Sequence, residues 1–204
     1  MASGDASPES ERNAGEAGKP IAKSLQTLQQ CRVSALNHLI GLLLGHLDLW
    51  TALLALSLGA LKVRQQWSRS RWAESTLVSL AFWVMGIYGT YSFLAHLLFG
   101  DFIAAQIGWV NSPFQYEVAY ANLTIGILGF TTVWLRRRDY MLASMVAYGS
   151  WIFADGVGHV VSLLQSGNTA EYNTGTILFT DLLMPVIVAL LVWWSRDERT
   201  VLKG

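Results

Sequence analysis

The sequence predicts an all-α integral membrane bundle of about five transmembrane helices, preceded by a disordered N-terminal tail. Three observations carry that expectation. The 204 residues are 52% hydrophobic and only 14% charged, well below the roughly 25% charged residues of soluble domains. Apolar stretches of about 20 residues, the length that crosses about 30 Å of hydrocarbon, recur along the chain. Nine tryptophans in so short a sequence suit a protein whose indoles anchor at the two membrane interfaces.

Residues 1–20 are rich in Ser, Gly, Ala, Glu and Pro and hold no large apolar side chain after Met1, so they bury too little surface to fold. Over 21–35, Ile21, Leu25, Leu28 and Val33 stand near helical spacing and predict an amphipathic lead-in helix along the membrane surface. Residues 36–200 form the predicted membrane domain. Its first span covers 36–61 and ends at the basic, Trp-bearing stretch KVRQQWSRSRW. The second covers 73–99, with Gly100 where a helix C-terminus favours glycine. The third, 113–135, opens on Ser112-Pro113-Phe114-Gln115: serine caps, proline suits the first helical position, and glutamine completes a capping box. Asp139 caps the fourth span, 140–164. A polar loop then leads to the fifth, 175–195, in which Pro185 frees the carbonyl of Asp181.

Charge asymmetry sets the orientation. Lys62, Arg64, Arg69, Arg71, Arg136, Arg137, Arg138, Arg196, Arg199 and Lys203 all fall on one side, while loops 100–112 and 165–174 hold no basic residue. The positive-inside rule puts that side, and the C-terminus, in the cytoplasm; the resemblance given below implies a bacterial inner membrane. Arg12, Lys19, Lys23 and Arg32 oppose the trend and leave a folded-back N-terminal segment as the alternative topology. Acidic and basic residues balance at 14 each, so no net field points to nucleic acid; the lipid bilayer is the expected partner. The single Cys31 excludes an intrachain disulfide and multi-cysteine metal sites. Neither soluble-enzyme motifs nor histidine pairs at bis-haem spacing are present.

Ionisable side chains are costly in hydrocarbon and mark sites. At about 1.5 Å per residue, His96, Glu117 and Asp181 lie roughly 6, 7 and 10 Å from the outer edge. Asp155 and His159 lie roughly 24 and 30 Å above the inner one. All five converge on one layer of the outer leaflet. Asp155, His159 and Ser162 share one helix face, which Tyr148 extends inward. A carboxylate one turn from an imidazole orients it, or shares a divalent metal with it, Glu117 being the third expected ligand. The alternative is an Asp–His pair that joins helices by hydrogen bonds alone. Gly156 and Gly158 flank the pair and admit a neighbouring helix. Asn122 reads as interhelical glue, and Glu117 as a residue stabilised by its helix N-terminus if it is not a ligand.

The elements Ser112-Pro113-Phe114-Gln115 with Glu117 and Asn122, Asp155 with Gly158-His159, Asn173 with Gly175, and Asp181 with Pro185 resemble a family of uncharacterised bacterial multi-pass membrane proteins, a domain of unknown function. The resemblance spans about residues 75–195. It implies a small helical membrane bundle in which these polar residues act as a set, and it implies no activity. Three functions stay open: a ligand- or metal-binding site, enzymatic or not; a proton- or ion-coupled transporter; and an accessory subunit of a larger membrane complex.

Overall fold

The computed structural model describes residues 29–197, which form helices and turns with no strand among them. The expected tail 1–20 and residues 21–28 of the lead-in helix lie outside the described residues. The chain divides into two units, one ending at Gly45 and one beginning at His46. In the first, helix α1 spans Gln29–Gly45 and runs through the boundary expected at residue 35.

The second unit opens on α2 (Leu47–Val63). The first span expected over 36–61 is therefore not one helix. His46 interrupts it at φ −119° and ψ 30°, and its Nδ1 is hydrogen-bonded 3.0 Å from Thr176 Oγ1. That tie holds the residue out of helical geometry. Helix α3 (Arg69–Leu98) starts four residues earlier than expected because Ser68 caps it, accepting the Arg71 amide at 3.2 Å. Its middle, Ala81–Tyr88, is a π-helical stretch.

Gly100 does not close α3. The break falls at Phe99 (φ −127°, ψ 35°), and Gly100 instead begins α4 (Gly100–Ile107), which buries Ala104 and Ile107 inside the expected loop. Helix α5 covers Phe114–Leu135, with Pro113 rather than Ser112 at the N-cap. Ser112 still contributes, since its Oγ accepts the Phe114 amide at 3.3 Å. Helix α6 covers Arg138–Ser166 with Arg137 at its N-cap. Asp139 is not the cap because it already lies in the first turn of the helix, where its carboxylate meets the Arg137 guanidinium at 2.6 Å. The short α7 (Glu171–Thr174) occupies the expected polar loop, and α8 (Thr176–Trp194) runs without interruption through Pro185.

Among the described residues, three helical runs are long and apolar enough to cross a membrane: α3, α5 and α7–α8. A fourth is added if α1 and α2 count as one span. Helix α6 has 29 residues, ample length, but its composition is diluted by the polar residues of one face. Helix α2 packs on the first half of α3, the second half of α3 packs on α5, α6 packs on α8, and α8 also touches α2 and α3. Leu77, Leu80, Met85, Met145 and Leu191 are fully buried where these layers meet.

The α3–α5 contact depends on having no side chain at Gly129. A Cβ there would lie against the Ala81 carbonyl oxygen, 2.5 Å from Gly86 N and 2.7 Å from Met85 Cβ. The π-helical stretch presents this backbone to α5, and Thr90 Oγ1 donates back to the Gly86 carbonyl at 2.7 Å. Gly129→Ala should therefore destabilise the bundle by about 1–3 kcal/mol through overpacking. Gly158→Ala, whose new methyl meets nothing within 4 Å, should leave stability unchanged or slightly raised. Thermal unfolding of the detergent-solubilised variants, followed by circular dichroism, checks the contrast.

Candidate functional site

Helix α6 is polar towards its neighbours and apolar outside. Ser144, Tyr148 and His159 are buried, whereas Val146, Phe153, Val157 and Leu164 are exposed. One turn separates Asp155 from His159, so both side chains leave the same face. Gly156, between them, lets α8 come close: a Cβ there would sit 3.0 Å from both Asp181 Cβ and Leu182 Cδ2. That approach puts Asp181 Oδ2 3.8 Å from His159 Nε2. One donor atom from each of Asp155, His159 and Asp181 lies within 4.8 Å of the others. Asp181 is 7% exposed, and its Oδ2 makes no hydrogen bond.

The orientation of the imidazole follows from Asn173, a fully buried residue of α7. The Asn173 amide nitrogen faces two backbone carbonyls, Asn168 O at 2.8 Å and His159 O at 3.3 Å. A carbonyl only accepts, so this end of the carboxamide is the NH2 group. Its Oδ1 must then face His159 Nδ1, 3.0 Å away, and Nδ1 carries the proton. In the neutral ring Nε2 is bare and points at a carboxylate oxygen that also lacks a proton donor. Two lone pairs face each other across 3.8 Å in a buried space, an arrangement relieved either by a proton held between Nε2 and Asp181 or by a metal ion.

Trp109, in the connection between α4 and α5, covers the other side of the imidazole. Its indole stacks on His159 with centroids 5.9 Å apart and planes 25° off parallel. Its Nε1 donates to Ser162 Oγ at 3.2 Å. Ser162 also accepts from Asn168 Nδ2 at 3.0 Å, so it holds the cover and the loop together without touching the imidazole itself.

The other residues singled out in the sequence are placed differently. His96 Nδ1 is hydrogen-bonded to Gln115 Oε1 at 2.6 Å, and His96 is within electrostatic reach of Asp155. Gln115 therefore serves His96 rather than a capping box. Glu117 lies in the first turn of α5, exposed and outside the Asp155–His159–Asp181 group. Asn122 bonds the Val118 carbonyl of its own helix at 3.0 Å instead of crossing to another. Gly158 has open space around it, so of the two flanking glycines Gly156 makes the close approach. Tyr148 is 5% exposed, within electrostatic reach of Asp181 and Asp48.

Asp48 was not among the expected site residues. It is 6% exposed, and its Oδ2 accepts from Thr180 Oγ1 at 2.9 Å, one residue before Asp181. Tyr88, closing the π-helical stretch, lies within electrostatic reach of Asp48, Asp181, Tyr148 and Asp155. The signal for Asp48 was available as a lone acid inside the apolar run LLGHLDLWTALL. What was hidden is that α8 would meet it.

The fold and this group define an all-helical bundle with an apolar exterior and a buried carboxylate–imidazole cluster. The chain belongs to a family of unknown function (DUF6790), whose profile matches residues 45–201, nearly coincident with the unit that begins at His46. Neither a curated protein nor a solved structure matches it.

Asn173→Leu keeps the branched shape of the side chain, with more bulk, and leaves His159 Nδ1 and the Asn168 carbonyl without their partner. Each buried orphan costs about 1–3 kcal/mol, so the variant should unfold at markedly lower temperature than wild type. Thermal unfolding in detergent measures it.

Proposed function

We propose that the protein is an integral membrane protein whose interior binds a divalent transition-metal ion between Asp155, His159 and Asp181. The observation that carries the metal is the bare Nε2 of His159 facing the unbonded Oδ2 of Asp181 at 3.8 Å, with a donor of Asp155 inside the same 4.8 Å cluster. Metal–ligand bonds of about 2.0–2.2 Å separate two ligands by at most about 4.4 Å across one ion. The imidazole–carboxylate gap is already in that range, and a small inward movement brings the rest. One imidazole with two carboxylates suits zinc, manganese or ferrous iron. The Nδ1–H bond to Asn173 is the outer contact that metal-bound histidines need. Three protein ligands leave coordination positions for water or a substrate, the arrangement of a site that acts on something rather than one that only braces a fold.

The membrane reading is supported by the inverted polarity of the helices. Exposed Phe179, Leu183, Val186 and Trp193 line the outside of α8, while Asp181 faces in. Helix α6 follows the same pattern, and its low overall apolarity is then no obstacle to crossing, because its polar atoms meet protein rather than lipid. In this reading the basic residues Lys62, Arg64, Arg69, Arg71, Arg136, Arg137, Arg138 and Arg196 mark the cytoplasmic side of a bacterial inner membrane, and the cluster lies in the outer leaflet.

A second reading uses the same contact without an ion. His159 exchanges a proton with Asp181, and Asp48, Tyr88 and Tyr148 extend the polar interior towards α2 and α3. This is proton-coupled transport.

Metal content separates the two. Chain purified in detergent after growth with zinc, manganese or ferrous iron should hold about one ion per protein, lost in Asp181→Asn and His159→Ala and kept in Glu117→Gln. Asn173→Leu should weaken binding about 10–100-fold where it folds. A folded wild-type protein that retains none of the three metals overturns the metal reading and leaves proton exchange.

A further inference from the structure

A second cavity lies at the opposite end of the unit from Trp109. It encloses about 270 Å³ between Lys62, Val78, Thr132, Val133, Arg136, Arg137 and Met141. Four elements contribute: Lys62 from the last turn of α2, Val78 from α3, Thr132 and Val133 from the end of α5, and Met141 from the start of α6. We propose that this cavity binds the phosphate of an anionic glycerophospholipid, with Lys62 and Arg136 as the headgroup ligands and Val78, Val133 and Met141 against the glycerol and first acyl methylenes. The proposal rests on the membrane reading above and is independent of the metal.

Three observations converge. First, the side chains of Lys62 and Arg136 have no ion-pair or hydrogen-bond partner among the described residues, whereas neighbouring Arg137 is held by Asp139 at 2.6 Å. Two unpaired cations at one cavity mouth are an unanswered charge. Second, Arg136 adopts the left-handed conformation, φ 51° and ψ 29°, as the C-cap of α5. Glycine is the usual residue there, since a side chain is disfavoured at positive φ. Here the position carries a guanidinium, the group best matched to phosphate oxygens.

Third, the floor is apolar. Met141 is 2% exposed, and the one hydroxyl present is already committed: Thr132 Oγ1 donates to the Leu128 carbonyl at 2.7 Å and lies 3.1 Å from Ser144 Oγ. A free phosphate would satisfy the cations and leave that floor unused. A lipid uses both halves, and the cavity sits at the basic end of the bundle where the reading places anionic headgroups.

The test uses the full chain in phosphatidylcholine nanodiscs, titrated with phosphatidylglycerol and read by native mass spectrometry, after flotation with liposomes has confirmed insertion. Each cation near an anionic headgroup contributes roughly five-fold, so wild type should prefer phosphatidylglycerol over phosphatidylcholine by about twenty-five-fold. Lys62→Gln with Arg136→Gly should remove most of that preference. Glycine relieves the backbone at 136, so this variant should fold at least as well as wild type. Arg64→Gln, an exposed cation outside the cavity, should keep the preference.

Equal losses in both variants would reduce the effect to diffuse surface charge and overturn the proposal. Displacement of the lipid by millimolar inorganic phosphate would overturn the lipid and make the cavity a free-phosphate site. A chain that floats with liposomes yet shows no preference refutes this site alone; one that does not float refutes the membrane reading beneath it.

Discussion

The carboxamide of Asn173 is the contact on which the geometry of the buried cluster depends. It is one side chain on a four-residue helix, yet it reaches the backbone of α6 at His159, the Asn168 carbonyl and the imidazole itself. Because two of those partners are carbonyls, the amide has one orientation, and the histidine beyond it has one tautomer. A histidine free to turn over would present an N–H to Asp181 in half of its states and behave as ordinary interhelical hydrogen bonding. Held as it is, it keeps an electron pair directed at a carboxylate. The same amide also ties α7 and the α6–α7 connection back to α6, so imidazole chemistry and chain path meet at one residue.

Around that contact the bundle solves a general difficulty of polar groups in an apolar surround. Each must find a partner inside the protein, because none is offered outside. The hydroxyls of Thr90, Thr131, Thr132 and Ser79 turn back on carbonyls of their own helices, and Thr132 also meets Ser144 across the α5–α6 boundary. Ser70 Oγ and Thr76 Oγ1 are also buried without a hydrogen bond; what distinguishes Asp181 Oδ2 is the histidine nitrogen opposite it at 3.8 Å.

The sequence announced much of this and concealed the rest for identifiable reasons. All-helical architecture followed from apolar runs and their polar punctuation, and the segments around α3, α5 and α8 were legible to within a few residues. The break at His46 was not, because the residue that His46 bonds there, Thr176, stands 130 positions away. The helix Gly100–Ile107 was obscured by glycine at its start, which suits a helix end equally well. Asp155, His159 and Asp181 could be grouped from depth and periodicity alone. Depth says nothing about rotation, however, and that is why Glu117, at a similar level, proves exposed on α5. Asp48 and Tyr88 were not placed in the cluster for the complementary reason: Asp48 stands two residues from His46 and points elsewhere, and Thr180 of α8 supplies its partner, while Tyr88 comes within reach of these acids only in the folded chain.

Trp109 lies flat against His159 with its far edge towards the exterior. At equilibrium such a cover contributes little beyond its own stacking and its hydrogen bond to Ser162. Its effect is on orientation. A proton or a metal ion meets an imidazole in the plane of the ring, at a nitrogen, so an indole over the face leaves Nε2 uncovered while it restrains the ring from tilting. The direction of that lone pair is thereby set twice, in the plane by Asn173 and across it by Trp109.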